Sequence, residues 1–238
     1  MKFLTSMMLL CSFAVTPCFI PAAMAAAGVQ DVIATVERGY SSMSDLQASF
    51  VQKSYVPSLK RDQTGNGTLF IKKGSGSAAM FRFDYRKPKQ LIVSDGRSVW
   101  FYLPENNQVM QSSVRNMFEG DNGIALNYLT GMGRISRDFS ISPMKGLRDA
   151  SGNYLLELVP KKQGKNLSKL QLTVSADAVA KYQKDGNVKN TFPIVSSVVF
   201  DQFGTRTSIS FSNVKVNRGL KSSLFTFKVP AGVEVIKP

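Results

Sequence analysis

The sequence predicts a mainly β (α+β) domain: one large, strongly curved antiparallel sheet of about eleven strands, with short helices at the amino terminus and mid-chain covering its concave face. Three observations predict it. Short segments of alternating apolar and polar residues recur along the chain, separated by Gly, Pro, Asn and Asp. One amphipathic stretch with helical spacing precedes them. At their centre lies Phe81 to Tyr102, FRFDYRKPKQLIVSDGRSVWFY, a run of aromatics at period two.

The first 25 residues stand apart. Lys2 forms a short positive start, Leu4 to Ile20 is mostly apolar, and Ala23-Met24-Ala25 has the small-x-small pattern of an export cleavage site. Residues 1–25 are therefore expected to be a removed signal peptide and residues 26–238 a single domain. The mature chain is expected to be soluble and exported.

Val29, Val32, Ile33, Val36 and Tyr40 share one helical face, opposite Asp31 and Glu37, which predicts a helix over Gly28 to Ser42. Leu46, Ala48 and Phe50 alternate in a first strand, Asp45 to Tyr55. Pro57 to Asn66 reads as a polar connection and Gly67 to Lys73 as a second strand. Gly74 to Ser77 is a flexible turn into the aromatic strands. Within these, Pro88 and Ser94-Asp95-Gly96 mark the two reversals, because Gly96 tolerates a positive φ and Asp95 can accept from its own backbone. Gln108 to Val114 adds another strand.

Arg115 to Met132 changes the pattern to one or two short apolar helices with glycines between them. Such an insertion either fills the core or covers a cavity. Strands resume at Arg137 to Ser142, Tyr154 to Pro160, Lys169 to Ser175, Pro193 to Phe200 and Thr205 to Val216. Leu224 to Lys228 and Val233 to Ile236 close the chain.

Composition excludes much chemistry. Both cysteines, Cys11 and Cys18, lie in the leader, and the chain has no histidine. Disulfides, thiolate and imidazole metal sites, cysteine nucleophiles and Ser-His-Asp catalysis are thereby removed from the expected mature protein. No G-x-S-x-G, P-loop or dinucleotide fingerprint is present. Asp84, Asp95, Asp121, Asp138, Asp149 and Glu157 stand singly, without the pairing that glycoside hydrolysis needs. The expectation is a binding protein that is not an enzyme and has no cofactor. The net charge of +14 is spread along the chain rather than gathered on one element, which argues against nucleic acid. It suits anionic head groups, an acidic protein partner, or solubility alone.

Leu69, Ile71, Phe81 and Phe83 follow one alternation and form the predicted interior of the sheet, with Trp100 and Tyr102 added from the returning strand. This aromatic wall is either ordinary core or a surface for acyl chains.

The block FRFDYRKPKQLIVSDGRSVWFYLPENNQV resembles the signature of the periplasmic outer-membrane lipoprotein carriers (LolA). In that family an aromatic F-R-W-x-Y strand is followed by x-x-P and S-D-G-x-x-x-W-x-Y. LQASFVQ, GTLFIKK and FTFKVPAGVEV resemble its first, second and closing strands. The resemblance implies an open, incomplete β-barrel whose concave face is closed by helices. It implies a periplasmic monomer that shelters acylated lipoproteins, taking them from an inner-membrane ABC-type transporter to an outer-membrane receptor. Ile124, Leu126, Leu129 and Met132 then become the lid helix. The family arginine linked to lid closure falls at Lys73, which keeps the charge but lacks the guanidinium's planar fork. The family tryptophan of the next strand is replaced by Phe83. The alternative is a lipid-binding or envelope-sensing module of the same fold that does not traffic lipoproteins.

Overall fold

A computed structural model describes residues 27–74, 80–119, 134–162 and 167–237. Helix α1 (Val29–Ser42) buries Val32, Ile33, Val36 and Tyr40, the face its spacing predicts. It leads into β1 (Asp45–Val56), β2 (Arg61–Lys72), β3 (Met80–Lys87), β4 (Gln90–Ser94), β5 (Ser98–Leu103) and β6 (Gln108–Ser113). Then follow α2 (Val114–Glu119), α3 (Ile135–Asp138), β7 (Phe139–Arg148), β8 (Tyr154–Pro160), β9 (Leu167–Val174), α4 (Ala176–Asp185), β10 (Ile194–Asp201), β11 (Arg206–Val216) and β12 (Glu234–Ile236).

Among the described residues these strands make one sheet of 12, in the order β12-β6-β5-β4-β3-β2-β1-β11-β10-β9-β8-β7. It is two antiparallel meanders sutured by the long pair β1–β11. The sheet does not close: β7 and β12 end it on opposite sides, so the barrel is open. One buried face carries the main apolar cluster. It joins α1 to Leu46, Phe50, Leu69 and Phe81 on one meander and to Leu156, Leu172 and Ile194 on the other. Helix α1 is tied down from the side as well. Gln183 of α4 donates to Asp31 at 2.9 Å, and Ser136 of α3 donates its backbone N–H to Glu37 at 2.9 Å.

Four expectations are corrected. Residues 57–66 are not a connection: β1 and β2 pair down to Val56↔Arg61, leaving a tight reversal at Pro57–Leu59 with Lys60 in the left-handed region (φ 46°). The first turn of β2 is polar because this end of the ladder projects past the core. Residues 224–228 are no strand; Ser222–Phe225 is a 3-10 turn and the chain then crosses behind β3, where Arg82 Nη1 donates to the Leu224 carbonyl at 3.2 Å. β12 runs parallel to β6, so the sheet is not wholly antiparallel. Residues 137 and 138 belong to the helical turn α3, and the strand starts at Phe139. Helix α4 was legible but unread: Ser175 caps it by accepting from the Ala178 N–H at 3.3 Å, and Gly186 ends it at φ 66°.

Candidate functional site

The pleat decides what the aromatic strands can do, because neighbouring residues point to opposite faces. Across the sheet, Ala48, Leu69, Phe83, Ile92 and Phe101 stand in one row, and Leu46, Ile71, Phe81, Ser94 and Val99 in the next. Leu69, Ile71, Phe81 and Phe83 thus share a single face, all buried in the cluster that α1 covers. Phe50 packs edge-on against Phe83 at 5.4 Å and Tyr85 at 4.8 Å, and Phe81 against Phe83 at 6.4 Å. Edge-to-face packing of this kind suits the ring quadrupoles.

Gly67 makes that packing possible. A Cβ there would lie 2.0 Å from the Asp84 carbonyl oxygen, so β3 can come this close to β2 only over a glycine. Beyond Phe83 the face turns polar. Tyr85 donates its hydroxyl to Gln52 at 2.8 Å, Gln52 Nε2 reaches Ser54 at 3.3 Å, and Ser54 pairs with Thr207 at 3.0 Å. Burial pushes the Tyr85 phenol up to about 12, so it stays a neutral donor.

Trp100 and Tyr102 do not join this face. Pairing of Val93 with Trp100 and of Leu91 with Tyr102 puts both on the other side of the sheet. There they meet Phe227 at 6.1 and 5.8 Å, beside buried Val93, Val109 and Phe225, none of which belongs to the main cluster. The six residues expected to line one cavity are therefore divided four and two. The reason is register: Val99 and Phe101, not Trp100 and Tyr102, stand across from Phe81 and Phe83 through β4. Phe101 was the interior aromatic that sequence reading missed, and the spacing of the S-D-G turn was the signal that could have found it.

Lys73 follows β2 and reaches back to α1. Its ammonium donates to the Ser41 carbonyl at 2.9 Å, and its backbone N–H to the Ser44 carbonyl at 2.9 Å. Partial burial lowers its pKa below the ordinary lysine value. A cation on the last helical carbonyls is favoured by the helix dipole. The expected lid residues Ile124, Leu126, Leu129 and Met132 lie outside the described residues, as does Asp121.

The remaining carboxylates are engaged locally. Asp95 accepts the Arg97 and Ser98 N–H groups at 2.8 Å each, shaping the S-D-G turn. Asp84 holds Arg82 at 2.9 Å, and Asp138 holds Arg137 at 2.7 Å. Asp149 accepts from Ser151 and Asn153, both at 2.9 Å. Glu157 holds Lys169 at 2.8 Å, a contact that keeps its carboxyl below the usual range. Among the described residues no group of three or more His, Cys, Asp or Glu could hold a metal ion, and no helix is long and apolar enough to cross a membrane.

The family described as "Outer membrane lipoprotein carrier protein LolA" matches residues 41–228. An outer-membrane lipoprotein carrier protein of Methylobacillus flagellatus is 28% identical over 87% of this chain and 89% of its own length. One from Bordetella avium is 26% identical, covering 91% of each. Among solved structures, a LolA superfamily protein from Nitrosomonas europaea aligns at a TM-score of 0.42 and 14% identity, covering 85% of this chain and 99% of that one. A family match across most of the chain, relatives similar over nearly their whole length and an open sheet with a helix-covered apolar face lead to one conclusion: the chain belongs to the outer membrane lipoprotein carrier family.

Proposed function

We propose that this protein is a periplasmic carrier that shelters the acyl chains of lipoproteins between α1 and the face built by Leu69, Ile71, Phe81 and Phe83, extended by Phe50 and Phe101. It is not an enzyme, being a member of a carrier family. The observation that carries the proposal is the unbroken apolar row from Ala48 to Phe101 beneath a helix held at its edges.

Each methylene of an acyl chain contributes about 0.8 kcal/mol when buried, so one long chain represents on the order of 10 kcal/mol. A carrier must offer comparable apolar surface and still release. In the proposed cycle the protein, exported with loss of residues 1–25, receives cargo from an inner-membrane ABC-type transporter and yields it to an outer-membrane receptor. Closure of α1 over the empty face competes with cargo and so lowers its net affinity. Lys73, holding the Ser41 carbonyl at the end of α1, acts as the latch on that closure.

The test is release of cargo. The mature protein is added to spheroplasts of its own source and the supernatant is probed for an acylated outer-membrane lipoprotein. Recovery of lipoprotein in a one-to-one complex supports carriage. Absence of release while a fatty-acid probe still binds would replace the carrier with a lipid-binding module of another role.

A further inference from the structure

Two hairpin tips project side by side at the end of the sheet remote from the α1–β1 junction. In the first, the Lys60 N–H donates to the Pro57 carbonyl at 3.1 Å and closes the β1–β2 reversal, leaving Leu59 49% exposed. In the second, between β10 and β11, one carboxylate oxygen of Asp201 accepts the N–H groups of Phe203 at 2.8 Å and Thr205 at 2.7 Å. That carboxylate fixes the loop backbone and leaves Phe203 72% exposed. The tips touch: a Cβ on Gly204 would sit 3.3 Å from Pro57 Cγ. Tyr55, 40% exposed and paired with Arg206 across β1–β11, completes the apolar group.

An exposed phenylalanine on a loop whose own hydrogen bonds fix its backbone is unusual for a soluble surface, and two further exposed large side chains, Leu59 and Tyr55, lie on the adjoining hairpin. Three cations and two carboxylates stand around it. Lys60, Arg61 and Arg206 are exposed and none is in an ion pair with another described residue. Against them stand Asp62, and Asp201, whose carboxylate is committed to the loop amides. Apolar tips ringed by cations fit the headgroup boundary of an anionic bilayer: the rings enter the interface and the cations stay at the phosphates.

We propose that the paired tips, Leu59 and Phe203 with the basic residues beside them, form a docking surface for an anionic phospholipid membrane. This surface is distinct from the helix-covered face and needs no cargo. It would bring the carrier down on the bilayer with one defined end of the sheet first.

The experiment is co-sedimentation of the cargo-free mature protein with vesicles of phosphatidylcholine alone or with about one third phosphatidylglycerol, at low and at raised salt. The expected result is partitioning onto the anionic vesicles that weakens with salt. It should fall by about tenfold in Leu59→Ser/Phe203→Ser and also in Lys60→Gln/Arg61→Gln. Thermal unfolding should stay near wild type in both variants, because these side chains bury little. Equal and negligible partitioning onto both vesicles would overturn the proposal, as would variants that bind like wild type. So would a concentration-dependent dimer abolished by Phe203→Ser without any vesicle binding, which would make the tips an interface between copies.

Discussion

The two faces of β3, β4 and β5 carry similar aromatic loads and are sealed in different ways. On one, Phe81, Phe83 and Phe101 join a cluster that runs through both meanders and beneath α1. On the other, Trp100 and Tyr102 are covered by a single crossing segment, through Phe225 and Phe227. The first seal is helix α1, held at its edges by Ser136 of α3 and Gln183 of α4. The second is a strap, anchored by Arg82 on the Leu224 carbonyl and by the pairing of β12 with β6. Aromatic richness alone therefore does not mark a cargo surface. In the proposed function, what distinguishes the cargo face is its helical cover.

The largest difference should appear on truncation of the buried rings. Phe83→Ala removes a ring at the centre of the main cluster and should cost about 3–5 kcal/mol of stability, read from urea unfolding. Phe227→Ala, on the strapped face, removes a half-buried ring and should cost about 1–2 kcal/mol. It should also shift the emission of Trp100, the chain's only tryptophan, to the red, since Phe227 is its described ring neighbour. Phe83→Ala should leave that emission close to wild type, because the sheet lies between the two.

A smaller effect is expected at Lys73. Lys73→Met removes the donor to the Ser41 carbonyl and should cost about 0.5–1.5 kcal/mol. If the latch proposal holds, it should also speed exchange of a bound acyl probe, while Lys73→Arg, which keeps the donors, stays near wild type. The smallest concerns Glu157, on β8. Its carboxyl is held below the ordinary value chiefly by the hydrogen bond from Lys169, then by that from Gln171. Its contribution is present at neutral pH and is lost as the pH falls through that lowered value. Wild type should exceed Glu157→Gln slightly in melting temperature at neutral pH, and the gap should close in acid.

Much of this arrangement was legible in the sequence. The helix at residues 29–42, the S-D-G reversal and the placing of Leu69, Ile71, Phe81 and Phe83 on one face follow from period and turn chemistry. Three things were not. The side taken by Trp100 and Tyr102 depends on how β4 pairs with β5, and a shift of one residue inverts it. Residues 61–64 look like loop because a ladder that projects beyond its core needs no apolar side chains. The strap at residues 224–227 has the alternation of a strand, yet no sheet edge is free where it lies, so it packs its rings without pairing.

In the proposed carrier the helix-covered face is the one that meets cargo. The direct measurement is photocrosslinking of the loaded protein with a lipopeptide whose acyl chains carry a diazirine, followed by mapping of the labelled residues. Label concentrated on Leu69, Ile71, Phe81, Phe83 and Phe101 is the predicted result. Label concentrated on Trp100, Tyr102 and Phe227 would contradict it and make the strap, not the helix, the door.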